Sequence, residues 1–166
     1  LGRTLSEIAY AKAGIIKPGV PLIVGSRERE PLQVIRATAR ELRAPARYIG
    51  RDFESRAVRD PVESAGGARR VGSVQRGRVA FRVGSRRMGP VRLGLPGAHQ
   101  HDNAACAVAA LVELRKLGFR IPDRAIVTGL QNVRWPARLE RVPGRPAHLL
   151  DAAHNPDGCA ALAEFL

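Results

Sequence analysis

In "HLLDAAHNPDG" (residues 148–158), Asp151 and His154 follow an apolar run and precede Asn155-Pro156, a good cap and first-turn pair for a helix. A strand that ends in a polar loop ahead of a helix start is where α/β proteins hold anionic ligands. Unpaired backbone N–H groups and the positive end of the helix dipole converge there. Asp151 and His154 would both point into that crevice. The plain alternative is a capped loop whose aspartate is satisfied by backbone. No buried charge partner is evident for Asp151, so Asp151→Ala is expected to change stability by no more than about 1 kcal/mol.

A second candidate is Lys12 in "TLSEIAYAKAGIIKPG". Thr4 and Glu7 have capping-box spacing, so a helix should start near Leu5, and Gly14 and Pro18 supply its stop. Leu5, Ile8, Ala9 and Lys12 then fall at i, i+3, i+4 and i+7, which puts the lysine on the packing face. A lysine in the last turn can favour the dipole and extend its ammonium to water. A lysine held in a site can instead lose its proton through desolvation and become a reactive amine. The spacing alone leaves both open.

Two further positions are weaker. In "PGAHQHDNAACAVAAL" His99 and Asn103 stand at i and i+4 near a helix start, after a glycine (Gly97) that lets a ligand approach the backbone. Asn103 alone could equally be surface polarity. Arg138 in "WPARLE" sits close to a tryptophan, and an exposed ion pair with Glu140 is its plainer reading.

The elements that must hold these residues alternate as in an α/β protein. "VPLIVGS" (residues 20–26) reads as a buried strand and "PLQVIRATARELRA" as an amphipathic helix with Leu32, Ile35, Ala39 and Leu42 on one face. "ARYIGRDF" is a second strand. From Arg56 to Gly72 the composition predicts a loop, after which "SVQRGRVAFRV" and "GPVRLGL" alternate like antiparallel strands. A long helix from about His99 to Leu117 ends at Gly118, and another begins at Pro122. The character changes between Val133 and Arg138. We therefore expect two domains, residues 1–134 and 135–166.

Composition narrows the class. With 166 residues and 45% hydrophobic content the chain can bury a core. Its net charge is +13, and only Lys12, Lys17 and Lys116 among 28 basic residues are lysines. The arginines are scattered, and their dense region (Arg69 to Arg87) lacks the interleaved aromatics of a base-stacking platform, which argues against a nucleic-acid module. Cys106 and Cys159 are expected to be buried thiols in a reducing cytoplasm. Neither they nor the four histidines have zinc-ligand spacing, and no apolar run approaches a membrane span. The chain starts at Leu1 and stops inside a helix-like run, so it is expected to be an excerpt of a longer protein.

Read in order, "LGRTLSEIAYAKAGIIKPGVP", "LPGAHQHDNAACAVAAL", "GLQNVRWPARLE" and "LLDAAHNPDG" resemble the Mur ligase superfamily, in particular its folylpolyglutamate synthase/dihydrofolate synthase branch. The resemblance implies an α/β fold: the C-terminal part of a Mur-ligase-type ATPase domain with a mixed sheet and flanking helices, then the start of a smaller Rossmann-like domain. It implies that Lys12 is carbamylated and serves Mg²⁺ as an oxygen ligand, directly or through water. Asn103, Arg138 and Asp151 match nucleotide-contacting residues, and His154 matches a catalytic histidine at the phosphate and glutamate end of the cleft.

The implied reaction is ATP-dependent amide-bond formation. A folate or dihydropteroate carboxylate becomes an acyl phosphate, and L-glutamate displaces phosphate. The implied enzyme is a cytoplasmic monomer, with no nucleic-acid or membrane partner. The phosphate-cradling glycine loop is absent from this sequence and is expected upstream, so the excerpt alone should be inactive. Three positions depart from the family pattern: Ala11, Ala137 and Ala152 replace a glutamate and two glycines. A peptidoglycan-precursor ligase is the nearest rival, but "LLDAAHNPDG" and "KAGIIKPG" favour the folate branch. An arginine-rich nucleic-acid module would explain the charge and none of the motifs.

Overall fold

The computed structural model describes residues 2–58 and 78–166. Most of the expected Arg56–Gly72 loop, and the first residues of "SVQRGRVAFRV", lie outside the described residues.

Helix α1 (Leu5–Ala13) starts as its sequence requires: the Thr4 side chain accepts from Glu7 N–H, and the Glu7 carboxylate accepts from Thr4 N–H. Its packing face is not the expected one. Ala9 and Ala13 are buried, and with Ile16 they continue one stripe, whereas Leu5 and Lys12 are exposed. Small residues decide this. Ala13 and Ile16 pack against Ala39 and Ala44, so α1 lies close to its neighbour through methyl groups and turns Lys12 outward.

That neighbour is α2 (Arg29–Glu41), which connects strand β1 (Leu22–Val24) to its parallel partner β2 (Ala46–Tyr48). A parallel pair needs such a crossover, and the amphipathic stripe Leu32, Ile35, Ala39 and Leu42 supplies the face it buries. "ARYIGRDF" is not one strand. The chain turns at Gly50, whose φ is +82°, and the Asp52 carboxylate accepts from Tyr48 N–H at 2.8 Å to close the turn.

An antiparallel meander follows: β3 (Phe53–Val58), β4 (Arg78–Val83) and β5 (Arg86–Arg92), in that spatial order. β3 was expected as loop beyond Arg56, because "ESRAV" carries little apolar signal. Its place is fixed instead by Phe53, with no exposed surface, and by its pairing partners Val79 and Phe81 on β4. Helix α3 (His99–Lys116) lies across β3 and β4 through Ala104, Ala105, Val108 and Ala109. Helix α4 (Asp123–Asn132) adds Ile126 to the same core. The hairpin β6 (Glu140–Val142) and β7 (His148–Leu150) and helix α5 (Pro156–Phe165) complete the chain. The arrangement is α/β with mixed strand pairing. No helix among the described residues is long and apolar enough to cross a membrane.

Packing outweighs charge in holding this fold. Losing a fully buried phenylalanine such as Phe53 costs about 3–5 kcal/mol. A solvent-exposed pair such as Arg27–Asp102 contributes at most about 1 kcal/mol. The thiols divide: Cys106 is half-buried and Cys159 is exposed, so only one approaches the expected burial. α3 comes so near β1 that a Cβ added to Gly25 would lie 2.7 Å from Cys106 Sγ.

His101, in the first turns of α3, provides a pH-dependent element. Burial depresses its pKa, Asp102 opposes this, and His99 adds to it. A histidine whose folded pKa is depressed destabilises the fold as pH falls through its unfolded value, because the unfolded chain takes up the proton first. We expect the melting temperature to fall as pH drops below about 6.5. His101→Gln should flatten that part of the profile. Thermal melts of both proteins between pH 7.5 and 5 check it, since an unchanged slope would exclude His101 as the source.

Candidate functional site

Of the five expected site residues, Arg138 alone lines a cleft, one formed where three segments converge. Gly94, just past β5, donates its N–H to Leu130 O at 2.8 Å, which holds the loop into α3 against the end of α4. That loop, the last residues of α4 and residues 134–141 enclose a cleft of about 940 Å³. Arg134, Trp135, Arg138 and Arg141 line it, and Trp135 is 65% exposed. Guanidinium groups beside an open aromatic face suit a ligand that is anionic at one end and flat at the other.

Backbone geometry aims Arg138. The residues on either side of it, Ala137 (φ +54°) and Leu139 (φ +51°), are both in the left-handed region. Such a conformation costs an L-residue about 1–2 kcal/mol, so something must hold it. Ala137 N–H donates to Glu140 Oε2 at 2.8 Å, and Ala137 O accepts from Ala152 N–H at 2.8 Å. Leu139, which is buried, donates its N–H to Asp151 Oδ2 at 3.0 Å, while Asp151 Oδ1 accepts from Ala153 N–H at 2.8 Å. The loop after β7 thus clamps the segment that carries Arg138. Glu140 is spent on the Ala137 backbone. Arg138 has no ion pair among the described residues, so the salt-bridge reading for it does not hold.

Asp151 is not among the cleft-lining residues; its carboxylate holds backbone instead. Its carboxylate satisfies two backbone donors, one of them on a buried residue, and the expectation that it carries little stability is corrected on that ground. Each oxygen still has a lone-pair direction left for a ligand. His154, three residues on, is exposed, and its Nδ1 lies 2.9 Å from Ala152 O. A carbonyl only accepts, so Nδ1 is the donor in this contact and Nε2 is left without a partner among the described residues. Asn155 caps α5 by accepting from Gly158 N–H at 2.7 Å.

Asn103 is exposed on the second turn of α3, where its amide donates to Gln100 Oε1 at 3.2 Å. The start of α3 meets the clamp through Gly97, whose φ is +98°. A Cβ there would lie 2.7 Å from His99 Cε1 and 3.0 Å from Leu139 Cδ1. Beneath it, Asp102 accepts from Ser55 Oγ at 2.7 Å and pairs with Arg27 at 3.2 Å. Sequence reasoning passed over Arg27, Ser55 and Asp102. The only available signal was an acid in a first turn, which the helix dipole alone would explain.

Lys12 stands apart. None of the cleft-lining residues belongs to α1, and Lys12 is exposed. Among the described residues no group of three or more His, Cys, Asp or Glu could hold a metal ion. The described residues therefore do not by themselves assemble a Mg²⁺ site.

No family model matches the chain. It is 34% identical over 167 residues to the dihydrofolate synthase/folylpolyglutamate synthase of Bacillus subtilis, a match that covers all of this chain and 36% of that protein. The folylpolyglutamate synthase of Thermotoga maritima superposes with a TM-score of 0.75 at 31% identity, covering 99% of this chain and 36% of the other. A folylpolyglutamate synthase solved with AMPPCP and folate superposes with a TM-score of 0.84 at 29% identity, over 99% and 37%. The chain thus spans about a third of the length of these proteins.

Three substitutions at two positions test the clamp. Asp151→Ala leaves the Leu139 and Ala153 N–H groups without their acceptor and should cost about 1–3 kcal/mol, with Asp151→Asn milder. Ala137→Gly relieves the left-handed strain, partly offset by glycine's greater unfolded freedom, and should gain about 0.5–1 kcal/mol. Urea unfolding of the three variants checks both signs. A fully stable Asp151→Ala would remove the clamp.

Proposed function

We propose that this chain, homologous along its whole length to the folylpolyglutamate synthase/dihydrofolate synthase family, supplies part of the nucleotide site of an ATP-dependent ligase that joins L-glutamate to a folate. In the reaction a carboxylate of folate, or of dihydropteroate, takes the γ-phosphoryl group and ADP leaves. The glutamate amine then attacks the acyl carbon, sheds a proton and displaces phosphate. The reading carries with it a cytoplasmic monomer without a nucleic-acid partner, and a division of the chain into residues 1–134 and 135–166. The observation that carries it is the convergence of Arg138, Asp151 and the Asn103 end of α3 on one junction beside the arginine- and tryptophan-lined cleft.

Each side chain has a role that its chemistry allows. Arg138, without an ion pair among the described residues, would meet the phosphates, where a guanidinium offers two parallel N–H donors. A carboxylate repels phosphate, so Asp151 would accept from the ribose hydroxyls or the base amine with its remaining lone pairs. Asn103 would use its amide on the nucleotide, giving up its bond to Gln100. His154 would act at the phosphate and glutamate end through Nε2. Contacts from both sides of residues 133–139 would let domain closure assemble the site and exclude water.

Lys12 would be carbamylated and would serve Mg²⁺, directly or through water. That chemistry needs the amine in its neutral form, and here the amine is open to solvent. The reading thus requires a covering surface, to be sought in the additional length of the relatives.

Two experiments on the full-length enzyme test these roles. Arg138→Ala should raise the KM for ATP by about 10–100-fold, the worth of a charged hydrogen bond, with little change in melting temperature. Unchanged ATP kinetics would move the nucleotide elsewhere. Lys12→Ala should lose turnover and regain part of it with added short carboxylates, and ¹³C-bicarbonate should label wild type but not the variant in a carbamate-region NMR spectrum. Wild-type turnover in Lys12→Ala would end the carbamate proposal.

A further inference from the structure

A second cleft, of about 630 Å³, lies at the other end of α3. α3 has 18 residues and so is about 27 Å long, which separates this cleft from the one beside the helix start. Its walls carry Arg47, Arg51, Arg82, Arg86, Arg115 and Lys116. A helix C-terminus attracts cations, and that would account for Arg115 and Lys116. It would not account for the other four, which come from β2, the turn after it, and the β4–β5 hairpin.

The carboxylates present do not neutralise these groups. Glu113 is shared between Arg47 at 3.0 Å and Lys116 at 2.7 Å. Asp123 is shared between Arg86 at 2.7 Å and Arg115 at 2.6 Å. Asp52 serves Arg51, and Glu54 serves Arg82, each at 2.8 Å. Six cations thus face four carboxylates. Arg51 is also fixed in place, since its guanidinium stacks over the Tyr48 ring at 4.6 Å. The Arg51 and Lys116 side chains are 63% and 55% exposed, so their remaining N–H donors face the cleft and solvent. Exposed ion pairs hold weakly, and a ligand carrying several charges can replace a carboxylate with little opposition.

We propose that this cleft binds a small polyanion with charges spaced several ångströms apart, an oligophosphate or an oligocarboxylate. The cations are distributed over three segments, so one phosphate or carboxylate reaches only some of them, and a chain of such groups reaches more. Glu54 acts as an internal competitor: with Arg82 as its ion-pair partner, it holds that guanidinium away from a ligand.

The test is calorimetric titration of the intact protein with tripolyphosphate and, separately, with tri-γ-glutamate at near-physiological salt. Saturable binding of at least one probe is expected, and which one binds identifies the source of the charges. Binding should persist in Arg138→Ala, which excludes the nucleotide cleft. Arg51→Gln/Lys116→Gln should weaken it by about tenfold or more, while Glu54→Gln, which frees Arg82, should strengthen it. Arg124→Gln, an exposed arginine outside the cleft, should have no effect. Melting curves establish that each variant folds. Four results would overturn the proposal: no saturable binding of either probe, equal weakening by Arg124→Gln, weakening by Glu54→Gln, or binding confined to duplex DNA with a steep salt dependence.

Discussion

The close approach of α3 to the meander is the contact from which the other features follow. It depends on side chains no larger than alanine and valine at Ala104, Ala105, Val108 and Ala109, set against Phe53, Val79 and Phe81. Nothing bulkier would let the helix lie flat on β3 and β4 while its flank passes β1 closely enough for Cys106 to fill the space over Gly25. With the axis of α3 fixed, its two ends are fixed as well. One places Gly97 against Leu139 of the junction segment, with Asn103 on the second turn of the helix. The other sets Glu113, Arg115 and Lys116 against the strand turns.

The junction is held differently, by backbone hydrogen bonds rather than by apolar burial. Residues 137–139 and 151–153 exchange two bonds, one between main chains and one through the Asp151 carboxylate. Such bonds contribute about 1 kcal/mol each, far less than the α3 interface. Around them, β6, β7 and α5 are largely exposed. Residues 140–166 are therefore the less firmly held part of the described residues.

Much of this was legible in the sequence. Helix starts and stops were readable because capping chemistry is local: Thr4 with Glu7, Asn155 with Pro156, and Gly118 after α3. The α/β class followed from the order of elements. Three features were not readable, each for a tertiary reason. The buried face of α1 is set by the methyl groups of Ala9 and Ala13 fitting α2, and hydrophobicity scores underrate alanine in close packing. β3 carries Glu54, Ser55 and Arg56, and it is a strand because its neighbours complete the ladder. The partners of Asp151 are backbone N–H groups, which no side-chain pattern reveals. The junction residues Arg138 and Asp151 were thus readable as neighbours of a helix start, while the hydrogen bonds that link their segments were not.

Arg138 has an unusual combination of constraint and freedom. The left-handed residues on both sides fix where its Cβ stands, and its guanidinium is tied to no carboxylate among the described residues. A side chain so rooted can sweep a cone of rotamers over the cleft mouth within nanoseconds, far faster than any domain motion. An anion arriving at the cleft would therefore meet it early, before any slower rearrangement, and would settle its orientation. In kinetic language the residue would act as a tethered bait: its reach contributes to the rate of capture, while the rate of release is set by whatever closes afterwards.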